Sequence, residues 1–561
     1  MGNLFNSLNI GLSSLKTQKI GMDTTGHNIA NANNDKYSRQ RVNQSAKRAQ
    51  AAPSMNDSMN PGQIGNGVEA EDIERLRDDF VDTQIREESQ TSGYWAKMSE
   101  GLERIEETFA EPSDTNLSNA LDQFWESLQD LSNNPEESAA RSTVRERAEV
   151  VTENFQALND QLNDYQESLN EDLSSEVKDI NSLGRRIADL NKEIVGIRGS
   201  GQSPNDLMDE RDELFDELNE KVNVQKRVDE MGNMQISIGG RNFVHGEDVK
   251  ELDLEREYEG ERFKNDIIFA DSEKEANIVN GELAGLLDVR DVEIEDALEE
   301  LDKMAESFAG RFNEVHKQGY DLYGGRGEDF FTLGSDDGSV AGQIEVAGSI
   351  KKDINRIAAG RYSENSEVAT VEVTDDSQLG AGNYIEIENE SDTEISYTAY
   401  DVNGDVLQDG AGNDIEGTVD VEDTEDLTAE LGVELNINGL NESDQEVTTV
   451  NLDANPGSGE NALALAGTIN KDEIEELQGS SLEEYYSSFI SSLGVDAQRA
   501  DQMVENQDSL LDQLEKKKES VSGVNLDEEM SNLIQYQQAY QAASKVISRT
   551  DEMLSVLMQT V

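Results

Sequence analysis

The chain has 561 residues and carries 120 acidic against 46 basic side chains, a formal charge of −74. A surface so negative repels nucleic acid and anionic lipid, which excludes both as general partners. There is no cysteine, and the three histidines, His27, His245 and His316, lie far apart, so disulfides, thiolate zinc sites and iron–sulfur clusters are excluded too.

In chain order, the first expected element is a helix. Leu4, Leu8, Leu12, Leu15 and Met22 form one apolar stripe at spacings of four, four, three and seven. Residues 27–34, rich in Asn and Ala, read as a turn region, and residues 43–66, with Pro53 and Pro61, as a linker. Helical patterns follow: Trp95, Met98, Leu102, Ile105 and Phe109, then Leu117, Leu121, Phe124, Leu128 and Leu131. The longest stripe runs from Val144 to Ile194. As one helix at the usual rise it is roughly 75 Å long, a length that calls for a rod-like bundle or a coiled coil.

Val222, Val224, Val228, Ile236 and Ile238, followed by Gly239-Gly240, predict β-hairpins. Helical periodicity returns with Ile294, Leu298, Leu301, Ala305, Phe308, Phe312 and Val315. Residues 361–460 alternate instead, as at Ile385/Ile387 and Ile395/Tyr397/Ala399, with turn signals at Asn403-Gly404 and Asn438-Gly439. From about 482 the chain is helical again. Leu533, Tyr536, Tyr540, Ala543, Ile547, Thr550, Leu554, Leu557 and Val561 alternate spacings of three and four, a pattern that needs a partner. The N-terminal stripe is the evident intramolecular candidate.

Charge is unevenly spread. Residues 1–50 hold seven bases and two acids, a net of +5, and residues 521–561 a net of −3. Residues 361–460 hold one base and 27 acids, a net of −26. Apolar periodicity along the chain argues against disorder, so the acidity is read as that of a halophilic surface, whose self-repulsion salt screens.

The fold class expected is mainly α with a β insertion. It is an elongated multi-domain rod with terminal helices paired as a coiled coil, a long-helix bundle and an inserted antiparallel β domain. The expected domains are 1–50 with 521–561 as the terminal assembly coiled coil. A helical shaft is made by 51–220 with 281–360 and 461–520, residues 221–280 form a β-hairpin part of the shaft, and 361–460 form an acidic β insertion, outermost.

The search for chemistry yields little. Asp401, Asn403 and Asp405 have the one-three-five spacing of a calcium loop, but Gly404 comes one place early and Gly412 stands where the bidentate Glu belongs. A two-residue hairpin turn explains the same residues. His245 and His316 read as ordinary surface or core histidines. Gly324-Gly325-Arg326-Gly327 follows a helix instead of opening one, so it reads as a loop and not as a nucleotide site. No nucleophile elbow is present, and no run of 18 apolar residues reads as a membrane span. Met1 to Asn6 has no early positive charge and no continuous apolar stretch, so no cleavable secretory signal is expected. These readings describe a structural or assembly protein without cofactor or catalytic residues.

Several segments carry a resemblance. Gly26-His27-Asn28-Ile29-Ala30-Asn31-Ala32-Asn33, then Tyr37-Ser38-Arg39-Gln40-Arg41-Val42, resembles the axial proteins of the bacterial flagellum. Gly65-Asn66-Gly67-Val68, Ile73-Glu74-Arg75 and Asp79-Phe80-Val81 continue it. Three more segments resemble the hook–filament junction family in particular, the first hook-associated protein or FlgK family. They are Ser203 to Asp212 (with Asn205, Asp206, Asp209, Glu210 and Arg211), Gly281 to Arg290, and Val521 to Glu529 with Tyr536 to Ala543. Family members usually have Thr-Pro-Gly where Asn34-Asp35-Lys36 stands here.

The resemblance implies a structural adaptor exported uncleaved through the flagellar type III channel. Its partners would be other copies of itself in a helical polymer, the hook protein, the second hook-associated protein on the filament side, and an export chaperone on the C-terminal helix. Its place would be outside the cell, at the hook–filament junction. The rival readings are another axial protein, such as a hook or distal rod subunit, and a hydrolase carried in the acidic insertion.

Overall fold

In the computed structural model the Val144–Ile194 stripe becomes part of one helix, α4, and the other elements are arranged along the chain as follows. The structure describes residues 2–560 apart from 35, 48–64, 110–115, 260–261, 335–337, 363–368, 374–383, 390–393, 401–405, 409–413, 421–423, 428–432, 438–447, 452–453, 456, 471–476 and 478. Helix α1 (Gly2–Ala30) leads into strands β1 (Gln40–Ala46) and β2 (Val68–Arg75). Helices α2 (Asp79–Phe109), α3 (Leu117–Asn133), α4 (Ser138–Arg198) and α5 (Asn205–Lys221) follow. Then come β3 (Val224–Val228), β4 (Met234–Ile238), β5 (Arg241–His245), β6 (Asp248–Val249), β7 (Leu252–Glu259), β8 (Arg262–Phe269) and β9 (Lys274–Glu275). Helix α6 (Glu282–Asp288) passes through a π-helical turn into α7 (Ile294–His316).

Short elements β10 (Phe331–Thr332), α8 (Val340–Gln343), β11 (Glu345–Val346) and α9 (Gly348–Lys352) lead to β12 (Arg361–Tyr362). The acidic block holds β13 (Ala369–Val373), β14 (Tyr384–Asn389), β15 (Glu394–Tyr400), β16 (Glu416–Asp420), β17 (Thr424–Leu427), β18 (Val433–Ile437), β19 (Thr448–Asn451) and β20 (Ala454–Asn455). Helices α10 (Glu460–Ala466), α11 (Leu482–Ser522) and α12 (Leu526–Thr560) complete the chain.

These elements form two compact units. One comprises residues 1–104, 166–293 and 494–561; the other comprises 105–165 and 294–493. The division falls inside α2, α4 and α11, and so within segments 51–220 and 461–520 instead of at their ends.

In the first unit, α4 carries a buried apolar face, Leu169, Leu173, Val177, Ile180, Leu183, Ile187 and Ile194. Buried asparagines interrupt that face, and each is used. The Asn191 side chain donates to Met234 O at 2.8 Å and accepts from Met234 N at 2.9 Å. Ten residues earlier, Asn181 makes the same pair of bonds with Leu252, at 2.8 and 2.9 Å. Each amide thus imitates a neighbouring strand and satisfies backbone groups that burial would otherwise orphan. The expected hairpins are present as an antiparallel sheet in the order β3-β4-β5-β6. Gly239 and Gly240 link β4 to β5 at φ 54° and 81°, the pair of positive angles that favours glycine in a two-residue turn.

The second unit is built on aromatic packing. Phe124, Phe155, Phe308, Phe312, Phe330 and Phe331 come from α3, α4, α7 and the chain before β11, with ring centroids 4.8 Å apart for Phe308–Phe331 and 4.9 Å for Phe312–Phe330. His316 ends α7 inside this core. Its Nδ1 lies 2.6 Å from Glu328 O, and its Nε2 accepts the Ala358 N–H at 2.9 Å. The histidine is therefore neutral with its proton on Nδ1, and burial pushes its pKa down to about 4. The acidic block contributes two antiparallel sheets, β13-β18-β17 and β16-β15-β14-β19. Asp401, Asn403 and Asp405, and both Asn-Gly turn signals of this block, lie outside the described residues.

Two sequence expectations need correction. Residues 27–30 are not a turn region: α1 continues to Ala30, and of residues 27–34 only 31–33 form a turn. The segment read as a linker from residue 43 also loses its start, because β1 runs to Ala46 and pairs antiparallel with β2.

Candidate functional site: the paired terminal helices and their clamp

The terminal helices lie side by side, and their contact is antiparallel. A Cβ placed on Gly11 would sit 2.7 Å from Ile547 Cγ1, and one on Gly21 would sit 2.8 Å from the Tyr536 ring. Further along, Asn28 Nδ2 donates to Glu529 Oε2 at 3.0 Å. As the α1 number rises through 11, 21 and 28, its α12 partner falls through 547, 536 and 529. The buried face of α1 is therefore one of small and polar residues: Gly11, Thr17, Gly21, Thr24, Thr25 and Asn28. Leu8, Leu15 and Met22 are half-buried beside it, but Leu12 is exposed, outside the seam where the leucine stripe placed it. On α12, Ala543 and Thr550 are buried, Leu533, Tyr536, Ile547 and Leu554 half-buried, and Tyr540 exposed. The side chains of Leu4, Leu557 and Val561 lie outside the described set.

Helix α12 starts at a built cap. The Asn525 side chain accepts the N–H groups of Asp527 and Glu528 at 3.0 and 3.3 Å. Asp527, Glu528 and Glu529 place three negative charges at the positive end of the helix. Glu529 is buried there, although it is ionisable. Its carboxylate accepts from Asn28, from Arg39 Nε at 2.9 Å and from Arg39 Nη2 at 2.7 Å, while Arg39 Nη1 donates to Glu528 at 2.9 Å. A buried carboxylate is tolerated when it is paired and hydrogen-bonded in this way.

The remaining motif residues converge on the same region. Asn28 accepts on Oδ1 from Tyr37 Oη at 2.7 Å and Gln40 N at 3.0 Å, and donates to Gln40 O at 2.9 Å, so its amide is fully used. Burial, with Asp206, Asp209 and Glu529 nearby, pushes the Tyr37 hydroxyl far above its ordinary pKa. Asn31 donates to His27 O at 3.1 Å, Ile29 is half-buried and Ala30 is exposed. From α5, Asp209 accepts Ser38 N at 3.1 Å and Arg75 Nη1 at 2.8 Å. Asp206 accepts from Gln40 Nε2 at 3.0 Å, and Asn205 donates to Ile73 O at 2.8 Å. Asp212 gathers Arg75 at 2.8 Å and Arg77 at 2.6 Å, with Lys226 at 3.6 Å. Burial alone would raise its pKa, but Arg77, Lys226 and Arg75 hold it well below the usual carboxylate range. Arg211 faces the other way, to Asn191 Oδ1 at 2.9 Å and Gly232 O at 2.5 Å, and burial lowers its pKa to about 10. Glu210 is exposed and has no such contact among the described residues.

Two contributors stand in the resembling segments without a role read for them there. Gln40 bonds Asp206 and Asn28, and Ser522 O accepts the Arg39 N–H at 3.0 Å. Where the Thr-Pro-Gly usual in the family is missing, the Lys36 N–H is capped by Asn34 Oδ1 at 3.2 Å. Among the described residues there is no cluster of three metal-ligating side chains, and no helix is long and apolar enough to cross a membrane.

Comparison with known proteins fits this geometry. Residues 102–331 match the flagellar hook-associated protein FlgK helical domain, and residues 519–560 match the flagellar basal body rod FlgEFG protein C-terminal model. The chain is similar to flagellar hook-associated protein 1 of Bacillus subtilis, at 29% identity over 99% of this chain and 98% of the relative. These matches make the chain similar to the FlgK family.

Hook-associated protein 1 of Salmonella typhimurium is 28% identical over 98% of this chain and 99% of its own length. The flagellar hook junction protein FlgK from Burkholderia pseudomallei has the same fold: TM-score 0.61, 18% identity, over 78% of this chain and all of that one. Similarity to these relatives covers both chain ends as well as the long-helix region.

Proposed function

We propose that this chain is a structural adaptor of the bacterial flagellum, outside the cell at the hook–filament junction, where it joins the two by self-assembly through its terminal helices. The observation that carries this reading is the antiparallel α1–α12 pair. It closes one face of α12 and leaves Leu526, Met530, Ile534, Val546, Met553 and Val556 exposed. Exposed apolar residues in such number along one helix mark an interaction surface. Near-full-length similarity to proteins named flagellar hook-associated protein 1 supplies the setting.

The partners we infer are neighbouring copies and the hook protein, with the second hook-associated protein on the filament side. An export chaperone would cover the C-terminal helix before assembly, since its apolar flanks need a cover in the monomer. The role is structural and not enzymatic, which the character of the family supports. The acidic block 361–460 belongs at the outer surface of the polymer, where water and counterions screen a net charge of −26.

Complementation tests the reading. A strain lacking its own junction protein forms hooks without filaments; this chain restores filaments, and the chain without residues 526–561 does not. Loss of the hooks themselves on deletion would instead favour a rod subunit.

A further inference from the structure

Just before β1, residues 37–39 form a strap whose neighbouring residues bond to opposite sides. Ser38 and Gln40 face α5: Ser38 N donates to Asp209 and Gln40 Nε2 to Asp206, at 3.1 and 3.0 Å. Arg39, between them, faces the C-terminal helices. Its N–H bonds Ser522 O, and its guanidinium holds Glu528 and Glu529. Contacts of neighbouring residues, through backbone N–H groups and side chains together, thus fall on opposite sides. It puts the acidic face of α5 and the first turn of α12 on the two sides of one strap.

We propose that Asp206 and Asp209 of α5 are positioning residues for the C-terminal helix: they fix the strap in register, and the strap presents Arg39 to Glu529. Three observations carry this. The α5 carboxylates reach α12 through the strap, by way of residues 38 and 40. The pairing is sensitive to register, because a shift of one residue would turn Arg39 toward Asp209 and leave the buried Glu529 with Asn28 as its one remaining partner of the clamp. Asp209 is itself anchored from behind by Arg75, whose Nη1 also bonds Asp212, so the register is referred to a buried ion network and not to a mobile surface chain. Seating of α12 is thus conditional on a folded α5 face. For assembly, which rests on the function proposed above, the consequence is that the terminal pair becomes competent once the body of the first unit has formed.

Hydrogen exchange on the full-length monomer tests the coupling without any hook present, so failure of the junction reading would leave the result intact. Asp209→Ala is expected to raise exchange across residues 526–532 by tenfold or more, while β3–β6 and α4 keep their protection. Arg39→Ala should open the same amides, and the double variant should open them no further than Arg39→Ala alone, because both act through one strap. Gln40→Ala leaves the ion network untouched and guards against global unfolding of the Asp209 variant; it should open 526–532 as well, to a smaller degree. Glu210→Gln, on the same helix, should change nothing. Unaltered protection at 526–532 in both Asp209→Ala and Gln40→Ala, or additive opening in the double variant, would overturn the proposal.

Discussion

Arg39 and Glu529 are 490 positions apart in the chain and meet through Arg39 Nε at 2.9 Å and Nη2 at 2.7 Å. The carboxylate is buried, whereas the guanidinium keeps partial access to water. The pair therefore ties the two ends of the protein at one point, just where α1 gives way to the strap and α12 begins.

Removing one member leaves a buried charge without its partner. Arg39→Ala should weaken docking of α12 by about 3–5 kcal/mol, the usual cost of breaking a buried ion pair. Glu529→Gln keeps the shape and loses the charge, so a smaller loss is expected. Limited proteolysis between Ser522 and Met530 reads both effects.

The seam sets a second expectation. Gly11 and Gly21 admit Ile547 and Tyr536 at distances that leave no room for a side chain. Gly21→Val should push the helices apart and cost about 1–3 kcal/mol by overpacking. Cysteine pairs placed across the seam, in a chain that has none of its own, would report the separation as lost cross-linking. Leu12→Ala, on the exposed side, should leave intramolecular pairing unchanged.

Long-range periodicity made part of this fold legible in the sequence. The α4 stripe repeats its apolar residues so regularly that the helix is plain from Val144 onward. The asparagines within it were not legible, because Asn181 and Asn191 at helical positions read as solvent-facing until the strands they bond are known. Asn28 misled in a related way. Asparagine disfavours helix interiors by bonding its own backbone, but here Gln40, Tyr37 and Glu529 occupy its amide, so the helix continues past it. The β1–β2 hairpin was missed because its alternation is weak: β1 reads Gln-Arg-Val-Asn-Gln-Ser-Ala, with one large apolar residue, Val42, in it. Sequence placed the two motif segments in one family but could not show that Arg39 and Asp209 serve opposite faces of one strap.

His316 gives a pH expectation whose sign follows from its bonds. The Ala358 N–H points at Nε2, so a proton there would set donor against donor. The folded pKa, about 4, lies below the ordinary histidine value near 6.5, so the folded state binds fewer protons than the unfolded one between those limits. Stability contributed by the neutral ring is present above pH 6.5 and is lost as pH falls toward 4, by at most about 3 kcal/mol. Thermal melts should fall over that window, and His316→Asn should flatten this part of the profile.

Salt should act in the opposite sense to its effect on ordinary surface ion pairs. With a formal charge of −74, self-repulsion opposes the compact state, and about 1 M salt shortens the screening length to about 3 Å. Melting temperature should rise from low salt to molar chloride. Equal melting temperatures would remove the halophilic reading of the surface.

The central claim is that the paired termini join this protein to the hook. Its most direct measurement is electron microscopy of purified hooks, taken from a strain lacking its junction protein and incubated with the full-length chain or with the chain lacking residues 526–561. The account predicts a cap of added protein at the distal hook end with the full-length chain and bare hook ends with the truncated one, which stays soluble and mostly helical. Equal capping by both would contradict it.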